Sequence, residues 1–94
     1  MTANENTVYT PGPRVAFRRI GDSVVLVNIE NNTMLRINET GSEIWMCLDG
    51  RSVGQIAARV CEVFEVPAEK ALADTCEFLE MLHGRGLVET EGGK

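Results

Sequence analysis

Thr33-Met34-Leu35-Arg36-Ile37-Asn38-Glu39-Thr40-Gly41 reads as a strand that stops at an asparagine and turns at once into a helix. Upstream of it the chain patterns as short strands, and downstream as helices. The stretch is therefore the joint between a small sheet and a helical layer, which makes the fold α+β.

Working back from the joint, Glu30-Asn31-Asn32 supplies turn chemistry, since asparagine tolerates the left-handed conformation that tight hairpins need. Ser23-Val24-Val25-Leu26-Val27-Asn28-Ile29 is the strongest strand signal, β-branched almost throughout. Val15-Ala16-Phe17-Arg18-Arg19-Ile20, closed by Gly21-Asp22, alternates more weakly. Together these predict a three-stranded antiparallel meander with the Val24–Ile29 strand in the middle. That strand is apolar on both faces, with Val25, Val27 and Ile29 on one and Val24 and Leu26 on the other. Helices can cover only one face. The other, with Val24 and Leu26, then calls for the N-terminal segment, a second copy of the chain or a partner protein, or else stays half-exposed. Residues 1–13 are polar and end in Pro11-Gly12-Pro13, so they are expected to be a mobile tail in which Val8-Tyr9 is the one apolar spot.

Forward of the joint, Ile44, Trp45 and Leu48 share one face of a short helix stopped by Asp49-Gly50. Ser52 with Gln55 forms a capping-box pattern that opens a second helix, whose inner stripe is Val53, Ile56, Ala57, Val60, Cys61 and Phe64. Glu65-Val66-Pro67 breaks the run. A third helix follows from about Ala68, with Glu69 in its first turn and Gly84 and Gly86 near its end. Its inner face holds Leu72, Thr75, Phe78, Leu79 and Leu82. Leu87-Val88 adds a last short strand or simply packs. The expected organisation is a tail at 1–13, one domain at 14–90 and a loose end at 91–94.

Composition narrows the function. Ninety-four residues support one core, and the 44% apolar content makes it adequate but leaves little room for a deep enzyme pocket. The net charge is −5, and residues 38–94 hold five basic against eleven acidic groups. An acidic helical half repels phosphate, which argues against nucleic acid. Cys47, Cys61 and Cys76 are an odd count without metal spacing, His83 is the sole histidine and there is no Gly-rich phosphate loop, so no metal site or nucleophile–base arrangement is indicated. No apolar run reaches the length of a membrane span. The chain reads as a soluble protein of the reducing cytoplasm, and not as an enzyme.

The feature that stands out is the outer edge of the Thr33–Ile37 strand. It carries no proline or lysine, and an unpaired row of N–H and C=O groups is a template for another extended chain. A helix or the N-terminal segment covering that edge would cancel the reading. Two other classes of function are compatible with the pattern. One is a winged-helix DNA regulator, for which the third helix is poorly equipped, with Asp74, Glu77 and Glu80 against one Lys70. The other is a structural dimerisation module using the doubly apolar sheet.

Leu35-Arg36-Ile37-Asn38-Glu39-Thr40-Gly41, then Ile44-Trp45, Asp49-Gly50, Val53, Ile56, the Phe64 region, and Asp74 with Phe78-Leu79 and Leu82 closely resemble the PqqD-like family over about residues 13–88. These are the recognition elements of ribosomally made, post-translationally modified peptides. The resemblance implies a winged-helix-like unit of three antiparallel strands and three helices. It implies a non-catalytic chaperone, without a cofactor of its own, that binds the leader segment of a precursor peptide as an added strand and presents it to a modifying enzyme, often a radical-SAM enzyme. By position, Met34, Leu35, Arg36 and Ile37 would supply the edge, and Asp74, Thr75, Phe78 and Met81 the facing helix wall. The quinone-pathway member is expected to carry a proline-containing segment before the third strand, where this chain has Asn28-Ile29-Glu30-Asn31-Asn32. The departure favours another peptide pathway, lasso-type or radical-SAM.

Overall fold

The computed structural model describes residues 5–90. In chain order its elements are β1 (Tyr9–Pro11), β2 (Val15–Ile20), β3 (Ser23–Asn28), β4 (Thr33–Ile37), α1 (Glu39–Met46), α2 (Val53–Phe64), α3 (Ala68–Gly84) and β5 (Val88–Thr90). β2, β3 and β4 form the expected antiparallel meander in that order, and β1 pairs with β5 in a separate two-stranded ribbon. The α+β reading therefore holds.

Local chemistry explains each joint. Gly21 sits at φ 62 in the first central position of the two-residue β2–β3 turn, the pattern of a type II′ hairpin that matches strand twist. Asn32, at φ 60, provides the left-handed residue of the β3–β4 turn. Asn38 ends β4 and caps α1, its Oδ1 accepting the Gly41 N–H at 2.8 Å. Ser52 and Gln55 complete both halves of the capping box on α2. Glu65 leaves α2 in the left-handed conformation, and Pro67 then precedes α3.

The shortest extent of the molecule is 18 Å, room for one sheet and one helical layer. Val24 and Leu26 of β3 are fully buried beneath the helices with Ile37, Ile44, Trp45, Ile56 and Leu79, which corrects the expectation that theirs is the face left uncovered: the helices that follow β4 pack on that side. The opposite sheet face, with Val25 and Val27, is the open one. Nothing among the described residues covers it, and residues 5–13 of the N-terminal segment pack elsewhere, on α2 and β5. Asn28, only 5% exposed, fastens the sheet to the end of α3. Its side chain accepts from Glu30 N–H at 3.0 Å and Asn31 N–H at 3.4 Å, and donates to the Gly86 carbonyl at 3.0 Å.

The reading of residues 1–13 as a mobile tail is corrected for residues 5–13. Thr7 and Glu5 accept the Val53 and Gly54 N–H groups at 2.8 and 2.9 Å, partnering donors that the first turn of α2 cannot satisfy itself. Tyr9 pairs in register with Thr90, is buried, and packs edge-on against the His83 ring at 6.0 Å. Pro11 is tolerated because it stands at the end of a short edge ribbon. Burying one aromatic ring outweighs the polar composition around it. Residues 1–4 and the expected loose end at 91–94 lie outside the described residues.

Candidate functional site

The edge of β4 can be resolved group by group. Ile29 N–H donates to the Arg14 carbonyl at 2.8 Å, so the odd-numbered residues of β3 exchange bonds with β2. The even-numbered ones, Val24, Leu26 and Asn28, then bond towards β4, where their register partners are Ile37, Leu35 and Thr33. It follows that the N–H and C=O groups of Met34 and Arg36 point away from the sheet. No strand of the described residues pairs with them. The side chains divide the same way: Leu35 and Ile37 turn to the core, whereas Met34, 71% exposed, and Arg36 stand on the open face.

Where β4 ends, a groove begins. Its volume is about 390 Å³, and it runs between the first turns of α1 and the outer stripe of α3, lined by Asn38, Thr40, Gly41, Ile44, Asp74, Glu77, Phe78 and Met81. Ile44 is buried and forms floor, while Phe78 is half-buried and packs against the core from above. Asp74, Phe78 and Met81 thus share one surface, but Thr75 does not join them. It is fully buried in the stripe Ala71-Thr75-Leu79-Leu82, and the helix turns it about 100° away from Asp74. Thr75 as a groove residue is therefore a correction. Among the described residues its Oγ1 has no hydrogen-bond partner. Thr75→Val, which keeps the shape and removes the unpartnered hydroxyl, is expected to raise unfolding free energy by about 1 kcal/mol in urea denaturation.

Asn38, Thr40, Gly41, Ile44 and Glu77 line the groove without having been singled out for it. The signal was available for Gly41, three residues past the cap. A Cβ built there would stand 2.8 and 2.9 Å from Phe78 ring carbons and 3.3 Å from Asn38 Oδ1. Glycine lets the aromatic ring lie against α1. Gly41→Ala is expected to push the Phe78 ring into the groove, visible as a displaced ring in a crystal structure or as shifted ring-proton resonances. Stability should change by less than about 1 kcal/mol, because the helix-propensity gain of alanine offsets the repacking.

The groove holds no nucleophile–base pair. Burial pushes the Cys76 thiol up, helped by Glu80, and burial does the same to Cys47, so both are poor thiolates at neutral pH. Cys61 donates to the Val66 carbonyl at 2.9 Å. Among the described residues no group of His, Cys, Asp and Glu could hold a metal ion, and no helix is long and apolar enough to cross a membrane.

A small α+β unit whose last meander strand is open to a further strand, beside a groove under its third helix, is the class that fold and site define. The chain belongs to the PqqD family: it matches the family model described as coenzyme PQQ synthesis protein D over residues 23–88. Two solved structures share the architecture. One is TbiB1 in complex with the TbiA(beta) leader peptide, 27% identical, covering 88% of this chain and 95% of that one with a TM-score of 0.80. The other is a lasso peptide synthetase B1 complexed with the leader peptide, 21% identical, covering 86% and 96% with a TM-score of 0.79. No curated protein matches the chain significantly.

Proposed function

We propose that this protein is a non-catalytic recognition element that captures the leader segment of a ribosomally made precursor peptide and presents it to a modifying enzyme of a lasso-type or radical-SAM pathway in the cytoplasm. The observation that carries the reading is the pair of outward backbone groups at Met34 and Arg36, unpaired and adjoining a groove with an apolar floor. Strand addition there gives affinity through main-chain hydrogen bonds, and the groove adds side-chain selectivity. The similarity to TbiB1, solved with a leader peptide, supports it. In this reading Met34, Leu35, Arg36 and Ile37 supply the strand, and Asp74, Phe78 and Met81 supply the wall.

The other two classes lose ground on specific residues. A DNA-reading α3 would turn Asp74 and Glu77 towards phosphates. A two-fold sheet-on-sheet homodimer would juxtapose like charges, because Arg18, Val25 and Arg36 form one cross-strand row on the open face.

The test is an amide chemical-shift titration of the isotopically labelled chain with leader peptides from precursors encoded near its gene. Shifts concentrated at residues 33–38 and 74–81 are expected. Shifts confined to the open-face residues of β2 and β3, or to α2, would place the partner elsewhere and defeat the proposal.

A further inference from the structure

The groove has a charge that the strand edge lacks. Two of its lining side chains, Asp74 and Glu77, are carboxylates, and among the described residues no lysine or arginine lines it. Lys70 reaches Asp74 at 3.2 Å, but both side chains are largely in water, with 62% and 46% of their surface exposed. Such an i,i+4 pair is weak and readily exchanged. Glu77 makes no ion pair among the described residues. The cation of β4, Arg36, stands on the other face of the sheet and does not neutralise the carboxylates.

We infer that the occupant of the groove is an extended peptide with an apolar side chain for the Ile44 floor, against the Phe78 wall, and, close beside it, a lysine or arginine for Glu77 and Asp74. The inference rests on the peptide-recognition reading and names the chemistry of the peptide. An apolar side chain alone would fill the floor while drawing Glu77 partly out of water without a partner, which costs affinity. An acidic neighbour would be repelled. A basic neighbour satisfies Glu77, takes over Asp74 from Lys70, and is also steered inward by the net charge of −5.

The experiment pans a phage-displayed library of random short peptides at low salt against the full chain and against Glu77→Lys. Glu77 is exposed, so the variant is expected to fold, which circular dichroism checks. The wild-type chain should enrich peptides with Lys or Arg within two positions of an apolar residue, and the variant should lose that preference. For one selected peptide, Kd should rise roughly tenfold on Glu77→Lys, with the difference shrinking at high salt. Enriched peptides without the basic residue, or a basic preference retained by the variant, would overturn the inference and leave peptide recognition standing. Failure of the folded chain to enrich any peptide would overturn both.

Discussion

Arg36→Pro is expected to weaken leader-peptide binding by about a hundredfold while leaving a folded protein. The alternation of bonds in the meander is the reason. Arg36 N–H points outward, so proline there removes a donor that only an added strand would use, and its ring occupies the path of that strand. The lost bond and the stranded peptide carbonyl together are worth about 2–4 kcal/mol, most of it the penalty on the unpaired carbonyl. Leu35, before the proline, is already in a strand, the conformation proline favours in its predecessor. The cost to folding should therefore stay near 1–2 kcal/mol at this edge site, by rough estimate. Two comparisons isolate the cause. Arg36→Ala keeps the N–H and should retain most of the affinity. Leu35→Pro removes the donor aimed at Leu26 and should unfold the sheet. Calorimetric titration with a binding leader peptide, alongside urea denaturation, reads all three. Full affinity in a folded Arg36→Pro variant would show that the peptide does not add to this edge.

Much of this geometry was legible because it is written in short-range chemistry. Asn38 followed three residues later by Gly41, Ser52 by Gln55, and the Gly21-Asp22 turn each specify a local backbone path with few alternatives. These paths order the elements, and they leave β4 as an edge by counting strands. Which face of β3 turns inward was read the wrong way round, with Val24 and Leu26 expected on the uncovered side. Val24 and Leu26 alternate with Val25 and Val27 in a run apolar on both sides, and the choice is made by how α1 and α2 fold back over the sheet. Thr75 shows a different failure. Its spacing from Leu72 and Leu79 placed it on the inner face, but the family resemblance assigned it by position to the wall, and the structure sides with the spacing. The Gly41–Phe78 approach depends on two helices far apart in sequence, so no window of sequence contains it.

The N-terminal segment yields the second large effect, because its composition and its burial disagree. Tyr9→Ala is expected to cost roughly 3–5 kcal/mol of unfolding free energy, as for other buried aromatic truncations. The ring is 3% exposed, it meets His83, and its strand pairs with β5, which continues from the fully buried Leu87. A domain of this size has about 5–15 kcal/mol in total, so the variant should melt far below the wild type, by roughly 4–8 °C for each kcal/mol. A mobile tail would give no change at all, which makes thermal denaturation decisive between the two descriptions. Tyr9→Phe separates the ring from its hydroxyl. Burial, then the charge of Glu80, then Cys76, pushes the Tyr9 phenol above its usual value, so the folded state holds that proton more tightly than the unfolded chain does. The stability this contributes is fully present below about pH 10 and is lost as pH rises through the raised folded value. Tyr9→Phe should keep most of the neutral-pH stability and lose the Tyr9 part of the alkaline decline. An alkaline profile unchanged by Tyr9→Phe would mean that the hydroxyl reaches water, and that the ring alone fastens β1 to the end of α3.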